Sequence, residues 1–520
     1  MRIQLVIWIA AAVVLTLALR ALVRGSTLPD GAFTGVDYAA FPCAPGALPI
    51  GDVTLGSCGL FGCSLQEDKR RADPHSGPWV RVGPPLDARA AQKMGRHRSV
   101  MRATRHLFYR RTRAAMHVVE MQVGAGAAPG WESVDLGGTA LRYRIGQGDA
   151  VTALALAYGG NPPMASFAPV GELAPGVALT ARRASACATP TLSFRPDGTF
   201  KVLQLADLHY SVAELACRDV HNPRACRSVA DTNAAIDAWL DAEKPDLVVF
   251  TGDQLNGQGT SWDERSVLPT WLDAVVARRI PWAAVLGNHD SESGFLSRRQ
   301  QVALLERYPY SVTRVGPPVY GAGNYDVQVL RNGTPAFALW FLDSGAHPAP
   351  SALHPLEWLR YDWVRTDQLT WLASRAAALR LPGMLFVHIP VPEAFSKVDR
   401  DADGRVLVRG VRLERFHRLG AQARAGLFDA ARRVAVRVLV HGHMHNNADC
   451  RRIQGMWICF GGGASYAAYG TTRLERRCRV YELREHGARI VTWQRTASGA
   501  RIDDAELTGS AARQQTRHTG

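Results

Sequence analysis

Residues 436–445 read VRVLVHGHMH, an apolar run that closes in a glycine and three histidines. Its β-branched residues predict a buried strand over Val436–His441. Residues two apart in an extended segment point to the same side, so His443 and His445 can face one site. Imidazoles just beyond a strand are side chains of the type that binds metals. The stretch therefore predicts one strand of a sheet with a ligand-bearing loop at its end.

Four upstream apolar runs also end in side chains that bind metals. The runs are Phe200–Ala206, Leu247–Thr251, Trp282–Leu286 and Met384–Val387. They are followed by Asp207 and His209, by Asp253, by Asn288 with His289 and Asp290, and by His388. A single residue of this kind is more often a cap or a structural residue, but five strand ends in series favour one shared site.

Helical patterns lie between several of these runs, including Ser228–Ala242 and Trp262–Arg279. Strands that alternate with helices predict an α/β fold whose working loops lie at the strand ends. A mixture of imidazole, carboxylate and amide ligands suits Zn, Mn or Fe better than Ca. An aspartate between two cations can bridge them, which suits the lone Asp253, and two such ions can bind the oxygens of a phosphate group.

The series resembles the calcineurin-like metallophosphoesterase superfamily over roughly residues 200–491. The stretches PWAAVLGNHD (281–290), FVHIP (386–390) and GGGASY (461–466) are similar to its purple-acid-phosphatase-like branch, known from plants and fungi. The resemblance implies a core of two mixed β-sheets flanked by helices. It also implies two divalent or trivalent metal ions (Fe, Mn or Zn) and hydrolysis of phosphomonoesters, phosphoproteins among them, by attack of a metal-bound hydroxide.

The resemblance also assigns roles to individual residues. One metal would be held by Asp207, His209 and His445, and the other by Asn288, His388 and His443, with Asp253 bridging. His289 would stabilise the transition state or protonate the leaving oxygen, and Asp290 would orient His289 by accepting its other ring hydrogen. Purple enzymes carry a ligand tyrosine three residues beyond the bridging aspartate. This chain has Asn256 there, which leaves the metal identity open and predicts no purple colour.

Two other functions remain open at this point. A phosphodiesterase or nucleotidase would use the same metal centre, and a membrane-tethered scaffold would carry a vestigial one. The substrate would be a phosphorylated small molecule or protein. The chain has 61 Lys and Arg against 46 Asp and Glu, a net charge of +15. That balance implies only weak attraction to anionic surfaces, and without a recognition motif it does not predict nucleic-acid binding.

The chain divides into four predicted parts. Residues 1–26 contain the charge-free apolar stretch Ile3–Leu19, which predicts a signal-anchor or transmembrane segment, with a cleaved signal peptide as the alternative. Residues 27–195 are rich in Gly and Pro, with short extended runs, and predict a β-rich accessory region. Residues 196–496 form the predicted metallophosphoesterase domain. Residues 497–520 are polar and charged and predict a disordered tail.

Nine cysteines are present, so at least one must stay unpaired. The spacings of Cys58 with Cys63 and of Cys217 with Cys226 predict local disulfides, whereas Cys459 in an apolar run reads as a small buried hydrophobe. Disulfides together with the apolar N-terminus favour an oxidising compartment. The predicted location is membrane-anchored in the secretory pathway (endoplasmic reticulum, vacuole or cell surface), or secreted if the first segment is cleaved.

Overall fold

The computed structural model describes residues 37, 40–59, 62–65, 75–97, 103–124, 129–183, 187–348, 359–414 and 420–508. The predicted signal-anchor at residues 1–26 lies outside these ranges. Within them, no helix is both long enough and apolar enough to span a bilayer.

The N-terminal part contains three small antiparallel sheets. One has the strand order β2-β1-β4-β3, the second β5-β7-β6 and the third β8-β10-β9. The elements are β1 (Ile50–Gly59), β2 (Gly62–Leu65), β3 (Ser76–Arg81), helix α1 (Ala88–His97), β4 (Thr104–Thr112), β5 (His117–Gly124), β6 (Glu132–Asp135), β7 (Ala140–Gly146), β8 (Ala153–Tyr158), β9 (Phe167–Ala174) and β10 (Val177–Arg182). This part is therefore rich in β-structure.

The elements that follow alternate between strands and helices. They are β11 (Phe200–Leu205), α2 (Ser228–Glu243), β12 (Leu247–Thr251), α3 (Glu264–Ala277), β13 (Trp282–Val285), α4 (Arg298–Glu306), β14 (Tyr325–Arg331), β15 (Thr334–Phe341), α5 (Thr366–Leu379), β16 (Gly383–Phe386), β17 (Val408–Arg412), α6 (Leu427–Arg433), β18 (Val436–His441), β19 (Asn447–Ile453), β20 (Met456–Phe460), β21 (Arg477–Arg484), β22 (Arg489–Thr496) and β23 (Arg501–Thr508). Short 3₁₀ turns cover His289–Ser291, Pro392–Phe395 and Glu485–Gly487.

Two mixed sheets form the centre of the protein. The first has the order β13-β12-β11-β21-β22-β23, and the second has the order β14-β15-β16-β18-β20-β19-β17. β11, β12 and β13 run parallel, as do β15, β16, β18 and β20. The strands β12, β13 and β16 are buried along their whole length, as expected for strands covered on both faces. The predicted α/β architecture with two mixed sheets is confirmed.

The accessory sheets share a hydrophobic core with the first central sheet. Tyr158 of β8 packs edge-on against Trp262, with ring centroids 4.9 Å apart, and its backbone N–H donates to the hydroxyl of Ser266 on α3 at 2.9 Å. The disulfide between Cys43 and Cys187 ties the start of this part to its end. The two parts therefore pack as neighbours through buried apolar side chains.

The prediction of a disordered tail from residue 497 is wrong for residues 501–508, which form β23. This strand pairs antiparallel with β22, and its Leu507 is buried. Its charged composition led to the wrong prediction, because β23 is an edge strand and edge strands carry charged side chains on their exposed faces. The residues after Thr508 lie outside the described ranges.

The interpretation of Cys459 as an unpaired buried hydrophobe is also wrong. Cys459 is fully buried, but it forms a disulfide with Cys450, which lies directly opposite on the neighbouring strand. The loop residues Gln454 and Gly455 both have positive φ, as a two-residue hairpin turn requires. That turn sets the register of β19 and β20 and so brings the two cysteines together. The predicted Cys58–Cys63 and Cys217–Cys226 disulfides are confirmed, and Cys478 is the free thiol.

Candidate metal centre

The loops after the parallel strands bring the predicted ligands together between the two central sheets. Two groups form, and within each group the candidate ligand atoms lie within 4.8 Å of one another. The first group contains Asp207, His209 and His445, and the second contains Asp253, His388 and His443. All six side chains are buried. The side-chain oxygen of Asn288 lies 3.2 Å from Nε2 of His388, so the seventh predicted ligand joins the second group.

The backbone turns sharply where the strands end. Asp207, His209, Asp253 and His443 have φ values of 61°, 50°, 53° and 73°, a region that residues other than glycine rarely adopt. Each such residue costs on the order of 1–3 kcal/mol, and residues of this kind cluster at functional sites. Gly252 also has a positive φ, and a Cβ there would lie 2.2 Å from Nδ1 of His388. The local strain thus lets the ligand-bearing loops approach each other closely.

Asp253 lies between the two groups. Its Oδ2 is 3.2 Å from Nε2 of His388 in the second group and 3.7 Å from Nε2 of His209 in the first. Its Oδ1 accepts a hydrogen bond from the backbone N–H of His289 at 2.8 Å. Burial alone would raise the pKa of this carboxyl, but the charge of His388 and the hydrogen bond from it outweigh burial and hold the pKa well below its usual range. Asp253 is thus ionised and faces both groups.

Three of the histidines are oriented by oxygen atoms that contact Nδ1 of the ring. The carbonyl of Thr251 lies 2.8 Å from Nδ1 of His388, and the carbonyl of Tyr469 lies 2.8 Å from Nδ1 of His445. The side-chain oxygen of Asn256 lies 3.3 Å from Nδ1 of His209. Such bonds fix the tautomer and leave Nε2 free to bind a metal. Asn256, at the position where purple enzymes have a ligand tyrosine, therefore orients the candidate ligand His209 through its Nδ1.

The protonation states also fit a metal centre. Burial lowers the pKa of His209 to about 4 and holds the pKa values of His443 and His445 well below the usual value, so these imidazoles are neutral. Only neutral imidazole binds a metal. Nε2 of His209 is buried and meets no hydrogen-bond partner among the described residues. Burial would lower the pKa of His388 too, but the carboxylates of Asp253 and Asp207 outweigh burial and raise the pKa to about 9. These two carboxylates thus stabilise a positive charge beside them.

Asp290 does not orient His289, and this prediction is wrong. Its buried carboxylate accepts hydrogen bonds from the backbone N–H groups of Asp253 at 3.0 Å, Leu255 at 2.8 Å and Gly287 at 2.6 Å. Asp290 thus joins the two loops that carry Asp253 and Asn288. The reason is the 3₁₀ turn, in which adjacent side chains diverge and residues three apart lie above one another. Glu292, not Asp290, is the acidic residue beside the ring of His289.

Arg298, which no sequence pattern predicted, anchors the same loop from α4. Its guanidinium donates to the carbonyl of Gly287 at 2.7 Å and of Leu286 at 3.3 Å, and to the hydroxyl of Ser291 at 3.0 Å. It also forms an ion pair with Asp343, whose side chain is fully buried. A basic residue at the start of a helix carries no sequence signal for this role, since its acceptors are main-chain carbonyls and a distant acid.

We expect Arg298→Met to destabilise the protein by about 3–5 kcal/mol, because it leaves the charge of Asp343 buried without its partner. Urea unfolding measures the change. Arg144→Met is the matched control, since the ion pair of Arg144 with Glu120 is about half exposed (49% for each side chain) and should be worth less than about 1 kcal/mol. An equal shift in both variants would contradict the anchoring role.

A cavity of about 290 Å³ opens over the two groups. It is lined by Asp253, His289, Tyr361, Glu414, Gly420, His443, Met444, His445 and Tyr469. Tyr469 stacks on the ring of His445 with centroids 3.7 Å apart, and its hydroxyl donates to Glu414. Tyr361 meets His443 edge-on at 4.4 Å. Aromatic rings therefore line the sides of the cavity, and the cavity is large enough for a small molecule.

Comparisons with known proteins identify the family of this chain. The calcineurin-like phosphoesterase family matches residues 200–447. The chain is 33% identical over 347 residues to "Probable inactive purple acid phosphatase 29" of Arabidopsis thaliana, an alignment that covers 61% of this chain and 85% of that protein. It is 34% identical over 325 residues to "Phosphatase DCR2" of Saccharomyces cerevisiae, covering 58% of this chain and 54% of the yeast protein.

Among solved structures, a dimetal phosphatase from Danio rerio is similar at 16% identity and a TM-score of 0.40, covering 60% of this chain and 99% of that one. The sequence relatives carry the assignment, because the first of them is matched over most of its length. The chain belongs to the calcineurin-like phosphoesterases, in their purple-acid-phosphatase-like branch.

Proposed function

We propose that this protein is a dinuclear metal-dependent phosphatase that hydrolyses phosphomonoesters. The observation that carries the proposal is the position of Asp253, whose carboxylate faces both ligand groups at once. Asp207, His209 and His445 would hold one ion, and Asn288, His388 and His443 the other. Several relatives are named inactive, but here all seven ligand positions hold side chains with the donor atoms that the centre needs.

Two metal ions bound there would supply positive charge for the phosphate oxygens and acidify a water molecule. The side chains around the two ions would provide the other functions of the site. Asp253 and Asp207 would balance the charge of the centre. His209 and His445 are neutral and are held in position by their Nδ1 contacts. His289 belongs to neither ligand group but lines the cavity. From there it can hold a phosphate oxygen or give a proton to the leaving oxygen.

Hydrolysis of p-nitrophenyl phosphate by the full-length chain, before and after chelation, tests the proposal. We expect turnover to be lost on chelation and restored by Mn, Zn or Fe. Bis(p-nitrophenyl) phosphate is the parallel substrate, and faster turnover of this diester would favour a phosphodiesterase instead. A folded chain with no turnover of either ester after reconstitution would overturn the enzymatic proposal.

We also propose that the protein matures in an oxidising compartment, anchored by residues 1–26. The four disulfides support this, since cytosolic thiols stay reduced. Titration of the denatured, unreduced protein from its native host should find one free thiol, that of Cys478. Nine reactive thiols would contradict the proposed compartment. Recovery in the membrane fraction, lost on deletion of residues 1–26, tests the anchor.

A further inference from the structure

Glu292 is an acidic residue beside the metal centre that belongs to neither ligand group. It follows the 3₁₀ turn His289–Ser291, three residues after His289. About a third of its side chain is exposed (32%), and both of its carboxylate oxygens contact neighbouring groups. The contacts of these two oxygens therefore indicate what Glu292 does in the site.

One oxygen of Glu292 faces the ring of His289. Oε1 lies 2.9 Å from Nδ1 of His289, because residues three apart in a 3₁₀ turn lie above one another. Nδ1 forms no other hydrogen bond among the described residues, and its separation from Oε1 is within hydrogen-bonding distance.

The other oxygen of Glu292 is held by a different loop. Oε2 accepts a hydrogen bond from the backbone N–H of Gln258 at 2.8 Å. The preceding residue is Gly257, with a φ of 61°, and a Cβ there would lie 2.4 Å from Oε2. The loop after Asp253 thus leaves room for the carboxylate and binds it. Glu292 is fixed on one side and offers its second oxygen to His289.

We propose that Glu292 is the positioning residue for His289, and that it accepts the Nδ1 hydrogen so that Nε2 faces the substrate cavity. This inference rests on the proposed function. The backbone of His289 is held separately, by its N–H bond to Asp253. Loss of the Glu292 carboxylate should therefore free the ring of His289, while the backbone of His289 stays bonded to Asp253.

The substitution Glu292→Gln tests this role with little change in shape. A carboxylate accepts from both N–H donors, but the single oxygen of a carboxamide can accept from only one side, and its NH₂ group then meets the other donor. Glu292→Asp keeps the negative charge, but its side chain is one methylene shorter and places the carboxylate farther from the ring of His289. Glu172→Gln is the matched control, since that exposed glutamate accepts from the N–H of Gly176 in a remote hairpin.

The experiment compares kcat, KM and metal content of these full-length variants, of His289→Ala and of the double variant. Two substrates are used, p-nitrophenyl phosphate and an alkyl phosphate with a poorer leaving group. We expect Glu292→Gln to lower kcat roughly 10- to 100-fold on the alkyl ester, and less on the nitrophenyl ester, with KM and metal content unchanged. The double variant should be no slower than His289→Ala alone, because both changes remove one function.

The contact between Glu292 and Nδ1 of His289 is measured independently of activity by ¹⁵N NMR of histidine-labelled protein. The wild type should show a protonated Nδ1 signal that disappears in His289→Ala and shifts in Glu292→Gln. An unchanged signal, or losses of activity that multiply in the double variant, would overturn the role of Glu292. An inactive wild type whose Nδ1 signal still shifts would overturn the proposed function but support the contact that positions His289.

Discussion

Replacing Asp253 with Asn will abolish both metal binding and turnover. The carboxylate faces both ligand groups, and a neutral amide cannot balance two cations at once. A loss of several kcal/mol of charge stabilisation corresponds to a fall in turnover on the order of 10³-fold or more. Elemental analysis of the purified variant, together with hydrolysis of p-nitrophenyl phosphate, measures both effects.

The matched control for that variant is Asp403→Asn. Asp403 is largely exposed (68% of its side chain) and forms an ion pair with the exposed Arg405. We expect its metal content and turnover to equal those of the wild type. If Asp253→Asn retained two ions per chain, the bridging position assigned to this residue would be wrong.

Replacing His289 with Ala will separate metal binding from turnover. His289 lines the cavity but belongs to neither ligand group, and its bond to Asp253 comes from the backbone, which alanine keeps. The variant should keep its metal and lose about 10²- to 10⁴-fold in turnover if the ring transfers a proton in the reaction.

His117→Ala is the control for His289→Ala, because His117 lies in an accessory strand and contacts the carbonyl of Gly148 near the surface. It should not change turnover. Full activity of His289→Ala would remove this residue from the reaction, and loss of metal from it would show that its role is to support the centre.

The sequence predicted the site well where the evidence is local. Asp207 and His209 share one ligand group as their spacing predicts, but turns with positive φ bring them together and not the alternation of an extended chain. His443 and His445 lie in the same centre but in different ligand groups. The apolar runs before them are β11 of the first central sheet and β18 of the second, and each pair follows the end of its strand. The strands themselves were predicted to within one or two residues, as for Phe200–Leu205.

The sequence predicted the site poorly where the evidence depends on turn geometry or distant contacts. Asp290 and Glu292 flank Ser291, and only the 3₁₀ turn decides which of them meets His289. The pairing of Cys450 with Cys459 depends on the register of a hairpin. The bond from the N–H of Gly294 to the carbonyl of Gly95, 3.0 Å long, joins the accessory region to the segment just after His289, and no local pattern predicts it.

Anomalous X-ray diffraction from crystals of the full-length protein, collected at the Mn, Fe and Zn absorption edges, tests the central claim most directly. We expect two peaks about 3.5–4 Å apart. One should lie among Asp207, His209 and His445, the other among Asn288, His388 and His443, with Asp253 between them. A single peak, or none in metal-supplemented crystals, would contradict a dinuclear centre.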